Sequence, residues 1–299
     1  MGRRKDIWRC AIVDRPLPQV LLHGLDDAPI RWFAEEPRLT YLADPFGVEI
    51  DGRRFVFVEQ YDYRTGHGRI EVLTLDANDA VIDRHICLRE PWHLSYPQVF
   101  LADGAFWMLP EAHKSGGLTL YKALDFPTRW AAAAHIVLDQ IPVDATLLRH
   151  GGLWWLFYAS AETKQARFTH LLAAWAEQLT GPWTPHAKNP LRIDAAAARP
   201  GGTAISCGET AILPVQDCSR GYGIGLTALH IDRIDPDQFE THRGRTLTAP
   251  DRFAPYADGL HTATAFGART LIDAKMTTMG WRNLISDVQR IVRIRRGRR

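Results

Sequence analysis

The feature that most limits how this chain can fold is a degenerate internal repeat of about fifty residues. Each copy opens with a small or polar residue, then Pro or a small residue, then apolar residues. A Gly turn follows, and then a strand rich in aromatics. The first copy reads Ala43-Asp44-Pro45-Phe46, Asp51-Gly52 and Phe55-Val56-Phe57-Val58-Glu59, and the second reads Ser95-Tyr96-Pro97-Gln98, Asp103-Gly104 and 106–111. A third runs from Val143-Asp144-Ala145 through Gly151-Gly152 to 153–158, and a weaker fourth from Ala198-Arg199-Pro200 to 212–215. The fifth opens at Leu260-His261-Thr262 and turns at Gly267. With Asp44, Tyr96, Asp144, Arg199 and His261 as equivalents, the spacings are 52, 48, 55 and 62 residues.

Runs of β-branched and aromatic residues between Gly or Asp-Gly turns predict antiparallel strands joined by hairpins. Four strands with their loops fill about fifty residues, so the economical architecture is all-β, a five-bladed β-propeller. It forms one domain over 1–280, with blades starting near 43, 95, 143, 198 and 260. The few residues after Leu260 fall short of a full blade plus a tail, so strands at 7–13 and 20–22 are expected to close the ring. Over 281–299, Trp281, Leu284, Ile285, Val288, Ile291 and Val292 recur at helical spacing, which predicts a short C-terminal helix followed by a basic tail.

With 46% apolar and 23% charged residues the chain belongs with ordinary globular proteins. The net charge is only +2, and six arginines lie between Arg290 and Arg299, so the body offers no basic groove and no nucleic-acid partner is expected. Cys10, Cys87, Cys207 and Cys218 form no CxxC pair, and reduced, buried thiols are expected. No leader and no window of about 18 apolar residues is found, which predicts a soluble, cytoplasmic protein with no transmembrane segment.

In a propeller the innermost strands line the axis, so the repeat alignment itself predicts a site. Its inner ring holds Asp44, Tyr96, Asp144, Arg199 and His261, and the second strands add Glu59, Glu111 and Asp217 at their ends. A carboxylate that ends a buried strand needs a partner or a function. Glu59 and Glu111 are open to either reading, as ion-pair partners of Arg199 or Arg220 or as members of the site. Paired carboxylates across a funnel are what glycosidic cleavage requires, one to protonate the leaving oxygen and one to attack or to activate water. Tyr61, Tyr63, Trp92, His93, Tyr96 and Tyr158 are candidates to stack on sugar faces. Gly221-Tyr222-Gly223 precedes no helix and is not a phosphate loop, and the histidines show no paired ligand spacing, so neither a cofactor nor a metal is expected.

The strings Ala43-Asp44-Pro45-Phe46, His93-Leu94-Ser95-Tyr96-Pro97, Pro110-Glu111, Val143-Asp144-Ala145-Thr146, Ala198-Arg199-Pro200-Gly201, Gln216-Asp217-Cys218-Ser219-Arg220 and Gly259-Leu260-His261-Thr262 resemble the N-terminal domain of plant glucosamine inositolphosphorylceramide transferases and its bacterial relatives. The resemblance spans roughly 40 to 275. It implies a setting in polysaccharide or glycolipid synthesis, while in the plant protein sugar transfer is assigned to a separate domain. More distantly the chain is similar to the arabinanase, levansucrase and invertase group of five-bladed glycosidases. That likeness implies Asp44 as base or nucleophile and Asp144 as the residue that orients substrate or tunes a pKa. The acid of that group belongs on the fourth blade, where this chain has Ala198 or Arg199, so Glu111 or Asp217 must donate the proton instead. Together these readings predict a glycoside hydrolase or transglycosidase with Asp44, Asp144, Glu111 and Asp217 as catalytic residues. Glu59, His93, Tyr96, Arg199, Arg220 and His261 would hold a glycan, a sugar nucleotide or a glycolipid headgroup. The alternative is a propeller that binds such a ligand without catalysis. A protein-interaction scaffold would need an apolar, plugged channel, which the polar ring opposes.

Overall fold

The run Phe55-Val56-Phe57-Val58 lacks the alternation of a strand with one wet face, and the computed structural model supplies the reason. All four side chains are buried, Phe55 and Phe57 among Val99, Met108 and Tyr121, Val56 and Val58 among Ile12, Phe266 and Leu271. Successive strand residues point to opposite faces, so a strand that is apolar throughout needs a neighbouring sheet on both sides. Five sheets meet that need by standing in a ring, each packed on the next through an apolar core. The structure describes residues 4–279, and the fold is the expected all-β five-bladed propeller. The predicted C-terminal helix and basic tail lie outside the described residues.

From axis to rim, the first blade is Thr40–Ile50, Arg53–Asp62, His67–Leu75 and Val81–Leu88, and the second is Ser95–Ala102, Ala105–Glu111, Leu118–Asp125 and Arg129–Ile136. The third is Pro142–His150, Leu153–Ser160, His170–Ala176 and the short Thr184–Pro185; the fourth is Arg199–Pro200, Thr210–Asp217, Gly225–Ile234 and Phe239–Leu247. The fifth joins Gly259–Phe266 and Arg269–Met279 to Arg4–Val13 and Ile30–Trp32, with Arg4 opposite Met279 and Val13 opposite Thr270. The chain's first strand therefore closes the ring, as expected. The second closing strand, expected at 20–22, is corrected: those residues belong to the helix Leu17–His23, whose buried face is Leu17, Val20 and Leu21. Proline in the first turn favours a helix start, and here it outweighs the strand preference of one β-branched residue. The expectation of buried thiols is corrected in part, since Cys10 and Cys87 are buried but Cys207 is exposed beside a hairpin turn and Cys218 is half-buried.

Asp51-Gly52, Asp103-Gly104 and Gly151-Gly152 all have positive φ and form two-residue hairpin turns at one end of the ring. Toward the other end the inner strands share an irregularity. Pairing skips from Ala43 to Phe46, from Ser95 to Gln98, from Val143 to Thr146 and from Leu260 to Ala263. Such bulges leave residues unpaired and re-aim their side chains. Asp44, Tyr96 and Asp144 occupy them in the left-handed region, at φ of 51°, 46° and 49°. In the fourth blade the inner strand breaks after Pro200, because Gly201 and Gly202 cross toward the fifth. A Cβ on Gly202, at φ 148°, would lie 1.8 Å from the Ala263 carbonyl oxygen.

Candidate active site

The bulges of the first, second, third and fifth blades, with the short inner strand of the fourth where Arg199 pairs with Gln216, bring Asp44, Tyr96, Asp144, Arg199 and His261 together around the axis, all buried. Asp44 Oδ1 accepts from the Thr262 hydroxyl at 2.8 Å and Oδ2 from the Tyr96 N–H at 3.2 Å, while His261 Nε2 lies 3.5 Å from Oδ1. Burial pushes the Asp44 carboxyl up to about 6 against the pull of the His261 charge, and Asp273 and Asp144 push the same way.

Asp273, on the second strand of the fifth blade, is fully buried. Its carboxylate accepts from His261 Nδ1 at 2.8 Å and from the N–H groups of Asp44, His261 and Thr262 at 2.9, 3.2 and 3.0 Å. Burial disfavours a charged His261, but Asp273 and Asp44 outweigh it and raise the imidazole above its ordinary value. Trp8 stacks on the same ring at 3.7 Å. Asp44, His261 and Asp273 each offer a ligand atom within 4.8 Å of the others, so they could hold a cation if Asp273 released some of these donors. The histidine spacing in the sequence does not reveal that cluster.

Asp144 Oδ2 accepts from Arg199 Nε at 2.7 Å and from Gln216 Nε2 at 2.8 Å. The Arg199 guanidinium lies between the rings of Phe168 and Tyr222, at 5.4 and 5.0 Å. Arg199 thus pairs with Asp144 and not with either glutamate. Glu111 is held by the Nδ1 and the N–H of His113, both at 2.5 Å. Glu59 faces His93 Nε2 at 3.5 Å.

Above this layer a cavity of about 350 Å³ is walled by Asp44, Glu59, Glu111, His93 and Arg199, and by the rings of Tyr41, Tyr61, Tyr63, Phe168 and Tyr222. Tyr41 and Tyr61 stack at 4.9 Å. Lys114 and Arg167 add positive charge to the wall. Asp144 and His261 lie outside that wall and meet it through Arg199 and Asp44. Tyr96 also lies outside it, its hydroxyl bonded to Thr146 Oγ1 at 2.8 Å and to the Gly202 carbonyl at 3.1 Å. Asp217 is only half-buried and accepts from the Ser219 N–H and hydroxyl at 2.9 and 2.6 Å, in a turn of its own, and Arg220 is exposed. Neither joins the cavity wall. A larger pocket of about 490 Å³ between the second and third blades takes Trp92, with Tyr121, Asp139 and Pro142. Tyr158 donates to Asp139 there at 3.3 Å.

Residues 34–248 match the sequence family described as glucosamine inositolphosphorylceramide transferase 1, N-terminal. The chain belongs to this family. The rice (Oryza sativa subsp. indica) protein named glucosamine inositolphosphorylceramide transferase 1 is 33% identical over 205 residues, which is 67% of this chain and 27% of that protein. The chain therefore spans about a quarter of the length of the curated relatives it matches. Among solved structures, Zg3597, a family 117 glycoside hydrolase from Zobellia galactanivorans, aligns with a TM-score of 0.57 at 12% identity, covering 81% of this chain and 86% of that one. A GH43_1 enzyme from Xanthomonas citri aligns with a TM-score of 0.55 at 14% identity, covering 82% and 89%. At these identities the likeness is one of fold: the family's propeller is built as glycosidase propellers are. No helix among the described residues is long and apolar enough to cross a membrane.

Proposed function

We propose that this propeller cleaves or transfers a glycosidic bond in a glycan or an activated-sugar or glycolipid precursor. The observation that carries the reading is the cavity itself, where Asp44 and two further buried carboxyls face a space walled by aromatic rings. Aromatic faces suit sugar rings, and carboxyls with unlike surroundings suit the two halves of the reaction. Asp44 accepts from neutral donors and has its ordinary value shifted toward neutrality, which fits a base for water or an acceptor hydroxyl, or a nucleophile at the anomeric carbon. Asp144, clamped by Arg199 and Gln216, acts on the site through Arg199, which it orients in the cavity wall. The proton donor lies among the glutamates of the wall, because Asp217 is spent on its own turn. Four unpaired cysteines fit a reducing, cytoplasmic setting. The name shared by the plant relatives makes amino-sugar and inositol-phosphate headgroups the first ligands to test.

The test is product analysis with free sugars, sugar nucleotides, aryl glycosides and glycolipid headgroups. Turnover should fall by about 10²–10⁴-fold in Asp44→Asn. Full turnover by both Asp44→Asn and Asp144→Asn would end the catalytic reading. One observation favours binding without catalysis: Arg199, Arg167 and Lys114 converge on the wall and suit a phosphate or carboxylate. Tight thermal stabilisation by a sugar nucleotide with no product would move the assignment there.

A further inference from the structure

We propose that Glu59, and not Glu111, is the proton donor of this site. The assignment rests on the glycosidic reading above and sharpens it. Glu59 is 5% exposed, and its Oε1 is the sole carboxylate oxygen among the described residues that is buried without a hydrogen-bond partner. Every other carboxyl of the site is already served. Asp44 has Thr262 and the Tyr96 N–H, Asp144 has Arg199 and Gln216, Asp273 has three N–H groups and His261, and Glu111 has His113.

A carboxylate without donors or a cation is costly to bury, whereas the neutral acid is not. The group facing Glu59 cannot supply the missing charge. The Gly68 N–H donates to His93 Nδ1 at 2.8 Å, so the neutral ring carries its hydrogen on Nε2, 3.5 Å from Glu59 Oε1 and too long for a proper bond. Burial, with Lys114, His113 and His67 nearby, pushes His93 down to about 3 and keeps it uncharged. Burial likewise pushes Glu59 well above the usual carboxylate range, and the charges of Asp44 and Glu111 add to it. Glu59 stands opposite Ala43 on the neighbouring strand, one residue from Asp44, and both line the cavity. Gly68 leaves the space it needs, since a Cβ there would fall 2.6 Å from Oε1. The arrangement is one carboxyl kept neutral beside one held ready to ionise.

In the step, Glu59 passes its carboxyl proton to the glycosidic oxygen as the bond from the anomeric carbon to that oxygen breaks and its electron pair stays on the oxygen. Asp44 takes a proton from the water or acceptor hydroxyl whose oxygen forms the new bond to that carbon. Solvent then returns a proton to Glu59 and takes from Asp44 the one it gained.

The experiment compares Glu59→Gln, Glu111→Gln and Asp44→Asn on glycosides with graded leaving groups, from dinitrophenyl to alkyl. Glu59→Gln should lose about 10²–10⁴-fold in kcat/KM on alkyl glycosides, yet stay within about tenfold of wild type on dinitrophenyl glycosides, which need no proton. Asp44→Asn should lose both. Equal losses across leaving groups in Glu59→Gln, or a graded loss in Glu111→Gln alone, overturns the assignment. If the wild type cleaves no glycoside, the glycosidic reading and the donor role fall together. Infrared spectra then judge the protonation by itself. A carboxylic C=O band that persists above neutral pH and vanishes in Glu59→Gln supports a neutral Glu59, and identical spectra refute it.

Discussion

Replacing Tyr96 by Phe removes one oxygen atom from the middle of the ring. That hydroxyl bonds Thr146 of the third blade and the carbonyl of Gly202 in the fourth, and it accepts from the Gly202 N–H at 2.5 Å. After the change, Thr146 keeps longer contacts to the Asp144 and Gly202 carbonyls at 3.4 and 3.5 Å, but the Gly202 N–H has no substitute acceptor within the described contacts. An orphaned buried donor costs about 1–3 kcal/mol, and a weakened hydroxyl bond adds a fraction of its usual ~1 kcal/mol. The expected loss is therefore about 1–4 kcal/mol. Urea unfolding followed by the fluorescence of the ten tryptophans should show a lower midpoint at unchanged slope. Because Tyr96 is absent from the cavity wall, ligand affinity should stay at the wild-type level. A loss below about 0.5 kcal/mol would refute the strut, and weakened ligand binding at full stability would make Tyr96 a substrate contact instead.

Three further outcomes are expected. Activity should follow a bell-shaped pH profile. Asp44 must be deprotonated, so the acid limb falls as pH drops through about 6, and Glu59 must be protonated, so the alkaline limb falls as pH rises through its elevated value. Arg199→Met should destabilise the fold by about 3–5 kcal/mol by leaving Asp144 buried with Gln216 alone, and Asp144→Asn in the same chain should restore part of the loss in thermal unfolding. Toward a thiol reagent, Cys207 should react first in the native protein, while Cys10 and Cys87, which burial makes hard to ionise, should wait for unfolding.

The repeat was legible because strands buried on both faces leave an unbroken apolar signature, and because bulge residues recur at the same point of four of the five copies. That is why the convergence of Asp44, Asp144, Arg199 and His261 follows from the repeat alignment alone. Asp273 was not legible. It falls opposite the bulge of the fifth blade, where the first three carry Val58, Pro110 and Tyr158, so comparing repeats gives no hint of a carboxylate. Trp8, Phe168 and Tyr222 escaped for another reason. They reach the site from the first strand, a short helix and a loop, where blade periodicity says nothing about direction. Asp217 looked equivalent to Glu59 and Glu111 at the end of its strand, but Ser219, two residues on, gave it a local partner.

Ring closure by the first strand has a consequence for the order in which this molecule becomes competent. Trp8 stacks on His261, and His261 is held by Asp273, so the site joins residues from both ends of the chain. A ribosome-bound chain could pack its first four blades and still lack the triad around Asp44. Contacts of such long sequence separation form late and slowly. Trimming residues 4–13 should therefore silence the protein as fully as removing Asp44, although none of the trimmed residues touches the proposed reaction.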